Sequence, residues 1–239
     1  MNDAWPHWRS KFRRVMGQLL LFALLGLVAH RFWVRPRSMP LVTLVDGPSP
    51  ARASAVIFIL HGRSGGLGGR MHSMVRALRE AGLRSDVSVV RVEGPFATWI
   101  GNSWGDEAKD FVESRRRVRA VLHEMLGDHG PASGRVVIAG FSQGAAIAAD
   151  LAADDTSVGA LASFSPCWIG LREELTKRKN LRVLLAHGTH DSVCPVSESR
   201  SLASVLQSAQ IPVQYVEFDG GHEIAPQVVR ALVAFSSPP

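Results

Sequence analysis

From about residue 41 onward, short apolar runs alternate with stretches of helical periodicity. The runs are rich in β-branched residues and are bounded by turn signals, which is typical of buried strands. The predicted strands are Val56–Leu60, Val87–Val92, Arg135–Ala139, Leu161–Phe164, Arg182–Ala186 and Val213–Phe218. The predicted helices are His72–Glu80, Asp106–Met125, Ala145–Ala153, Ser197–Ser208 and Gln227–Ala234. This alternation predicts an α/β fold, with a mostly parallel central sheet covered by helices on both faces. Leu41–Val45 can add an antiparallel edge strand.

The first 40 residues follow a different pattern. Val15–Ala29 carries no formal charge and follows a basic cluster formed by Arg9, Lys11, Arg13 and Arg14. This is the layout of a signal peptide or signal anchor. A bilayer-spanning helix takes about 20 residues, so the segment spans only if it includes Phe32–Val34 with a snorkelling Arg31. Leu27–Ala29 is a poor cleavage site, which favours an uncleaved anchor over a cleaved signal, with a buried soluble helix as the remaining alternative.

The charge distribution supports a division into a segment 1–40 and a domain 41–239. The chain has a formal net charge of +6. Seven basic residues and one acidic residue lie in the first 40 positions, and the remainder carries twenty of each sign. The basic pI therefore does not predict nucleic-acid binding by the folded domain. We expect the N-terminal segment to contact a membrane, with the domain outside the cytoplasm, in a bacterial periplasm.

A serine lies in a motif that favours a nucleophile. Gly140-Phe-Ser-Gln-Gly144 follows a predicted strand and runs directly into a predicted helix. In a strand–turn–helix elbow the turn exposes the serine hydroxyl, and the two glycines permit the tight backbone. The N–H groups at the start of the helix then face the position where an oxyanion would form. This arrangement makes Ser142 the candidate nucleophile.

A second stretch, Gly62-Arg-Ser-Gly-Gly66, matches the same spacing and also follows a strand. Further glycines come after Ser64, and the next helical pattern begins only near His72. Because the helix does not follow at once, we assign Ser64 to a loop.

A nucleophilic serine needs a base and an orienting acid, which follow the serine in the order Asp, His in hydrolases of this elbow type. Asp191 follows the strand that ends near Ala186, and His222 follows the strand that ends at Phe218. Both lie in glycine-containing loops, so the sequence predicts the triad Ser142, Asp191 and His222. Three neighbouring residues compete for these roles: His187, His190 and Asp219. We expect His187 to be a packed, hydrogen-bonded residue.

An acyl-transfer site also needs donors for an oxyanion. One should be the backbone N–H of the residue after the nucleophile, Gln143, and the second should come from the loop after an early strand. Gly62 allows that loop to turn the N–H of Arg63 toward the pocket. A plain flexible loop is the alternative.

Taken together, these stretches resemble the phospholipase/carboxylesterase family of α/β-hydrolases, which includes acyl-protein thioesterases and small bacterial carboxylesterases. The resemblance spans about Ala53 to Phe235 and keeps the order of the blocks Leu60-His-Gly, Asn102-Ser-Trp-Gly-Asp106, Gly140-Phe-Ser-Gln-Gly144, Phe164-Ser-Pro-Cys-Trp168, His187-Gly-x-x-Asp191 with Pro195, and Gly221-His222. It implies the Ser142–Asp191–His222 triad with oxyanion donors at Arg63 and Gln143. It also implies a serine hydrolase for ester or thioester substrates that uses neither a metal nor an organic cofactor.

The chain departs from the family in the loop after Gly62, which reads Arg-Ser-Gly-Gly-Leu-Gly-Gly. The Arg63 side chain changes the mouth of the pocket, so a preference for long acyl chains does not carry over. Dienelactone-type and peptidase-like hydrolases share the layout, and a non-catalytic binding module on the same scaffold is a further alternative.

The tryptophans and cysteines leave alternatives open. Trp99, Trp104 and Trp168 lie in loops at the expected active-site edge, where they can either wall an acyl pocket or pack the domain. Cys167 and Cys194 follow strands that the family topology places side by side. Free, buried thiols are the default, and a disulfide becomes possible if the domain is exported. Two cysteines cannot build a zinc site, and no His/Asp spacing resembles one.

Overall fold

The structure is a computed structural model that describes residues 41–128, 130–167 and 172–236. Seven strands of the described chain form one sheet and two more form a small hairpin. The sheet strands are β1 (Thr43–Asp46), β2 (Ala55–Leu60), β3 (Val87–Val92), β6 (Val136–Phe141), β7 (Ala160–Phe164), β8 (Arg182–Gly188) and β9 (Val213–Phe218). The hairpin strands are β4 (Phe96–Thr98) and β5 (Gly101–Ser103).

The connections between these strands are mostly α-helical. The helices are α1 (Gly69–Glu80), α2 (Ala108–Leu126), α3 (Gln143–Asp154), α4 (Arg172–Lys177), α5 (Val196–Ser208) and α6 (Pro226–Ser236). Single 3₁₀ turns lie at Pro50–Arg52 and Ser133–Arg135.

The sheet has the order β1-β3-β2-β6-β7-β8-β9. β1 pairs antiparallel with β3, with Thr43 opposite Val92, and the other neighbours pair in parallel. The six parallel strands therefore end at one common edge, which we call the carboxyl edge. Since β1 runs the other way, it begins at that edge.

Buried side chains divide between the two faces because successive residues of a strand point to opposite sides. In β2, Val56, Phe58 and Leu60 pack with α2, α3 and α5 on one face. Ile57 and Ile59 pack with α1 and α6 on the other. Strands that are buried on both faces read as continuous apolar runs, which explains the sequence pattern.

The predicted α/β fold with a mostly parallel sheet is confirmed, and β3 and β9 have the predicted bounds. The predicted edge strand lies at Thr43–Asp46. The sequence did not predict the β4–β5 hairpin or α4.

The N-terminal anchor falls on residues 1–40, which lie outside the described residues. Among the described residues, no helix combines the length and apolarity needed to cross a membrane.

Candidate active site

Ser142 occupies a sharp turn between β6 and α3. Its φ of 53° and ψ of −116° lie outside the regions that L-residues usually adopt. Its backbone N–H donates to Phe164 O at 2.9 Å, which ties the turn to the neighbouring strand. Strained, well-supported backbone of this kind is typical of functional turns, and the elbow predicted for Ser142 is present.

The two glycines of the motif allow the elbow to pack closely. A Cβ on Gly144 would lie 2.5 Å from both Leu60 O and His61 O, and one on Gly140 would overlap Gly144 O. Contacts this close exclude any side chain. The sequence pattern is therefore a direct consequence of how α3 packs against the end of β2.

Asp191 and His222 are brought together from separate loops. Nδ1 of His222 lies 2.7 Å from Asp191 Oδ2. Oδ1 of the same carboxylate accepts the backbone N–H groups of Val193 and Cys194, both at 2.8 Å. The His222 ring packs on Phe141, the residue before Ser142, with ring centroids 4.7 Å apart. The acid, the imidazole and the elbow thus lie in one cluster at the carboxyl edge.

The surroundings of Asp191 favour its charged form. Burial alone would raise the pKa of Asp191, but hydrogen bonds from the Cys194 N–H, from His222 and from the Val193 N–H outweigh this effect. The net result is a pKa below the ordinary value for an aspartate. A carboxylate that stays ionised at neutral pH can fix the orientation of the imidazole.

His187 also contacts this carboxylate, which sequence reasoning missed. It is fully buried, as expected for a packed residue. Nδ1 lies 2.7 Å from Ser199 Oγ, while Nε2 lies 3.2 Å from Asp191 Oδ2 and 3.0 Å from Cys194 O. The histidine therefore links the Asp191 loop to α5. Its spacing of four residues from Asp191 was the available signal.

The two residues predicted to supply the oxyanion donors are Gln143, which follows the nucleophile, and Arg63, in the loop beside it. A Cβ on Gly62 would lie 3.3 Å from Ser142 Cβ, so the loop that carries Arg63 passes directly beside the serine. No acceptor in the described part of the chain takes up the backbone N–H of Arg63 or Gln143. Two unengaged N–H groups next to a serine can serve a developing oxyanion.

These geometric features agree with comparisons to known proteins. A family model described as phospholipase/carboxylesterase matches residues 97–237. The chain belongs to this family. Members of the phospholipase/carboxylesterase family are hydrolases, and the chain is therefore a hydrolase of the α/β type.

Individual relatives of the family agree with this fold. MhqD of Bacillus subtilis (strain 168) is 28% identical over 178 residues, which cover 71% of this chain and 86% of MhqD. The crystal structure of a Bacillus cereus carboxylesterase is similar with a TM-score of 0.69 and 20% identity, covering 83% of this chain and 94% of that one. Arabidopsis thaliana SOBER1 is similar with a TM-score of 0.64 and 18% identity, covering 76% and 97%.

The Gln143 side chain binds the backbone at Trp104 and Gly105, a contact that the sequence did not indicate. Its Oε1 accepts the Trp104 N–H at 3.0 Å, and its Nε2 donates to Gly105 O at 2.5 Å. The residue after the nucleophile therefore fixes the family block around Trp104 against the start of α3.

Trp104 does not wall a pocket, contrary to one of the two readings of the sequence. It is fully buried, and its Nε1–H donates to His61 O at 2.6 Å. Burial lowers the pKa of His61, and its Nε2 accepts the Gly94 N–H at 2.9 Å. Trp104 and His61 together hold the loop that carries Arg63.

Trp99 does not line the groove beside the candidate site either. Trp99 lies in the turn between β4 and β5 with 89% of its surface exposed. Trp168 lies outside the described residues. The sequence pattern did not predict the exposure of Trp99, since strands of three residues carry too little periodicity to be recognised.

The competing residues take other roles. Ser64 lies in the loop before α1, and its Oγ is 3.4 Å from Thr98 Oγ1. His190 Nδ1 lies 3.1 Å from Asp219 Oδ1, and both side chains are largely exposed. None of the three contacts the His222 imidazole in the described part of the chain.

The two cysteines form a disulfide, Cys167–Cys194. This corrects the default expectation of free thiols, and the physical reason is that adjacent strands β7 and β8 bring their following loops within a Cα–Cα distance of 4.5 Å. The bridge fixes Cys194, whose N–H binds Asp191, so it also supports the candidate acid.

Asp191, Cys194 and His222 place potential ligand atoms within 4.8 Å of one another. These residues do not fit a metal ion. The Cys194 sulfur is bonded to another sulfur, and a metal needs a thiolate. The carboxylate and the imidazole are already bonded to each other.

A groove of about 1670 Å³ opens beside the cluster. It runs between α1 and α6, and its apolar lining includes Met71, Met74, Phe141, Ile224 and Val229. His222 and Gly62 line the same groove. An apolar moiety bound there would therefore lie next to the candidate catalytic groups.

Proposed function

We propose that the protein hydrolyses carboxylic esters or thioesters, with Ser142 as nucleophile, His222 as general base and Asp191 as the orienting acid. One observation carries this proposal. An ionised, fully buried carboxylate is hydrogen-bonded to an imidazole that packs against Phe141, the residue next to a strained elbow serine. This combination of groups is the machinery of a serine hydrolase.

The hydrogen bond to Asp191 determines which nitrogen of His222 acts as base. With Nδ1–H donating to the carboxylate, the lone pair of Nε2 is free to take the proton from Ser142 Oγ. The oxygen attacks the substrate carbonyl, and the new C–O bond converts it to a tetrahedral oxyanion. The imidazolium then gives its proton to the departing alcohol or thiol, which leaves the acyl group on Ser142.

The oxyanion requires donors only while it exists. We assign this role to the backbone N–H groups of Arg63 and Gln143, whose removal typically costs about 3 kcal/mol of transition-state stabilisation for each donor. Water, deprotonated by His222, attacks the acyl-enzyme in the second half of the reaction. The acid product leaves and the serine regains its proton.

The substrate is expected to be a small or medium acyl ester. Apolar side chains such as Met71, Met74 and Ile224 line part of the groove beside His222, and they can accept a flexible acyl or alcohol group.

We also propose that residues 1–40 form an uncleaved membrane anchor that keeps the domain on the periplasmic side. The support comes from the basic residues before the apolar stretch Val15–Ala29 and from the poor cleavage site. A membrane fraction that retains a chain of full mass after alkaline washing supports the anchor. A shortened, soluble chain contradicts it.

A substrate panel tests the proposed activity. Wild type and Ser142→Ala are assayed on p-nitrophenyl esters of increasing chain length, on matched thioesters and on peptides. We expect turnover of esters or thioesters by wild type, and a loss of at least about 10³-fold in kcat for the variant. Peptide turnover alone would favour a peptidase-like enzyme, and no turnover of any substrate would favour a binding module.

A further inference from the structure

The tip of the β4–β5 hairpin is the most exposed apolar feature of the described chain. Trp99 and Ile100 form the two-residue turn, with 89% and 81% of their surfaces exposed. Isolated exposed hydrophobic residues are common on soluble domains, but two adjacent large ones at a projecting tip are not explained by packing.

Other exposed apolar side chains lie at the same edge of the sheet. Val193 follows β8 and is 64% exposed, and Val42 precedes β1 and is 51% exposed. Both positions belong to the carboxyl edge, as does the hairpin, which follows β3. Four of the eight exposed large apolar side chains of the described residues, including the two most exposed, therefore lie at the edge that carries the candidate catalytic residues.

The hairpin is fixed beside the mouth of the groove. Asn102 N–H donates to Gly65 O at 2.7 Å. A Cβ on Gly101 would lie 2.6 Å from Ser64 O, so the two backbones are in direct contact. Ile100 also lines the groove. The exposed tip is thus held in place next to the site rather than projecting from a free loop.

The described chain also begins at this edge. Val42 O accepts the Glu93 N–H at 3.0 Å, at the end of β3. Only six residues separate Val34, the last residue of the predicted anchor, from Leu41. The seven Cα–Cα steps from Val34 to Leu41 span at most about 25 Å. The proposed anchor would therefore tether the domain to a bilayer through a short linker.

From these observations we infer that the Trp99–Ile100 tip inserts into the interfacial layer of a phospholipid bilayer, so that the groove opens toward the lipid surface. Tryptophan favours this layer because its ring is apolar and its N–H remains hydrated. An adjacent isoleucine adds apolar surface to the inserted tip. The consequence for substrates rests on the proposed function: esters that partition into the membrane would reach Ser142 without crossing bulk water.

A fluorescent label on the full-length protein tests the insertion. Trp99→Cys is labelled with an environment-sensitive dye while the native disulfide stays intact. The control is Ser208→Cys, labelled in the same way, because Ser208 is the last residue of α5 and lies away from the carboxyl edge, where that helix begins. The proteins are bound to vesicles of phosphatidylethanolamine with a minority of phosphatidylglycerol. We expect lipid-borne nitroxides to quench the label at residue 99 and not the label at residue 208. Absence of vesicle binding, equal quenching at both sites or no quenching at residue 99 would overturn the inference.

An activity measurement separates this inference from the proposed chemistry. Trp99→Ser should hydrolyse a dissolved short-chain ester like wild type, and should lose about fivefold or more on a medium-chain ester that partitions into vesicles. Val205→Ser, which removes an exposed valine far from the edge, should affect neither assay. Equal turnover of the vesicle substrate by Trp99→Ser and wild type would contradict the inference. If wild type does not hydrolyse the dissolved ester, the proposed function is contradicted. The quenching experiment then decides the insertion of the tip by itself.

Discussion

The Asp191 carboxylate is the most densely bonded group of the candidate site. Two backbone N–H groups bind one of its oxygens, and His222 and His187 lie within 3.2 Å of the other. This arrangement fixes the carboxylate before any substrate arrives, so the imidazole it orients is also fixed.

Asp191→Asn should retain the fold and lose nearly all activity. The amide presents N–H groups to His222 and so favours the tautomer whose Nε2 carries a proton, which cannot act as base. We expect kcat to fall by about 10⁴-fold with a small change in KM. Steady-state ester hydrolysis measures this, with thermal unfolding as the control for folding. A decrease of less than about tenfold would exclude Asp191 as the orienting acid.

At the residue level, sequence order predicted which Asp and His meet. The sequence could not show whether the tryptophans wall a pocket or pack in the core, because burial depends on neighbours that are distant in the chain. Trp104 packs in the core, and His61 in the loop after β2 and Gln143 at the start of α3 both hydrogen-bond to it. The contact between His187 and Asp191 depends on how the loop after β8 folds back on the strand, which the spacing of four residues does not determine by itself.

The elements that set the site geometry are β6 and α3, joined by the elbow. The close approach of Gly144 to the end of β2 leaves no space for a methyl group. The helix can therefore begin directly after Ser142 and present the N–H of Gln143 to the site.

Gly144→Ala should disrupt the elbow. The added Cβ would lie 2.5 Å from Leu60 O and His61 O, and backbone atoms cannot move aside cheaply. We expect a loss of about 2 kcal/mol or more in the free energy of unfolding, together with loss of ester hydrolysis. Gly134→Ala, where nothing lies within 4 Å of the added Cβ, is the matched control. Wild-type stability and activity in Gly144→Ala would show that the elbow is not as tightly packed as described.

At the level of elements, long apolar runs and helical periods predicted most of the sheet and its covering helices. The β4–β5 hairpin escaped prediction because each strand has three residues and its position depends on the loop after β2. Pairing between distant segments, rather than local preference, creates this element.

On the scale of the whole molecule, one buried carboxylate joins two helices. Asp155 follows α3 and accepts hydrogen bonds from Ser157 N and Oγ, at 3.0 and 2.5 Å. Its Oδ2 lies 2.9 Å from His123 Nε2 and 3.2 Å from Arg119 Nε, both on α2. Burial raises the pKa of Asp155, but the hydrogen bonds from Ser157 and His123 outweigh it, so the net pKa is lowered.

This lowered pKa has a defined consequence for acid stability. The unfolded carboxyl titrates near pH 4, so its contribution is complete above that pH and is lost as pH falls through the lower folded-state value. Asp155→Asn should reduce the free energy of unfolding at neutral pH by about 1–3 kcal/mol. It should also make the decrease below about pH 4 less steep.

Denaturant unfolding over a series of pH values measures both effects. Asp128→Asn, at an exposed position close to α2, serves as the control and should follow wild type. A variant curve parallel to wild type from neutral to acid pH would show that Asp155 does not contribute to acid sensitivity.

Ser142 is assigned as the nucleophile, and locating the residue modified by a fluorophosphonate tests this assignment. Such a reagent phosphonylates an activated serine, and peptide mass spectrometry identifies the site. We predict one adduct on Ser142, which is absent in Ser142→Ala and retained in Ser64→Ala. An adduct on Ser64, or ester hydrolysis that persists in Ser142→Ala, would contradict it.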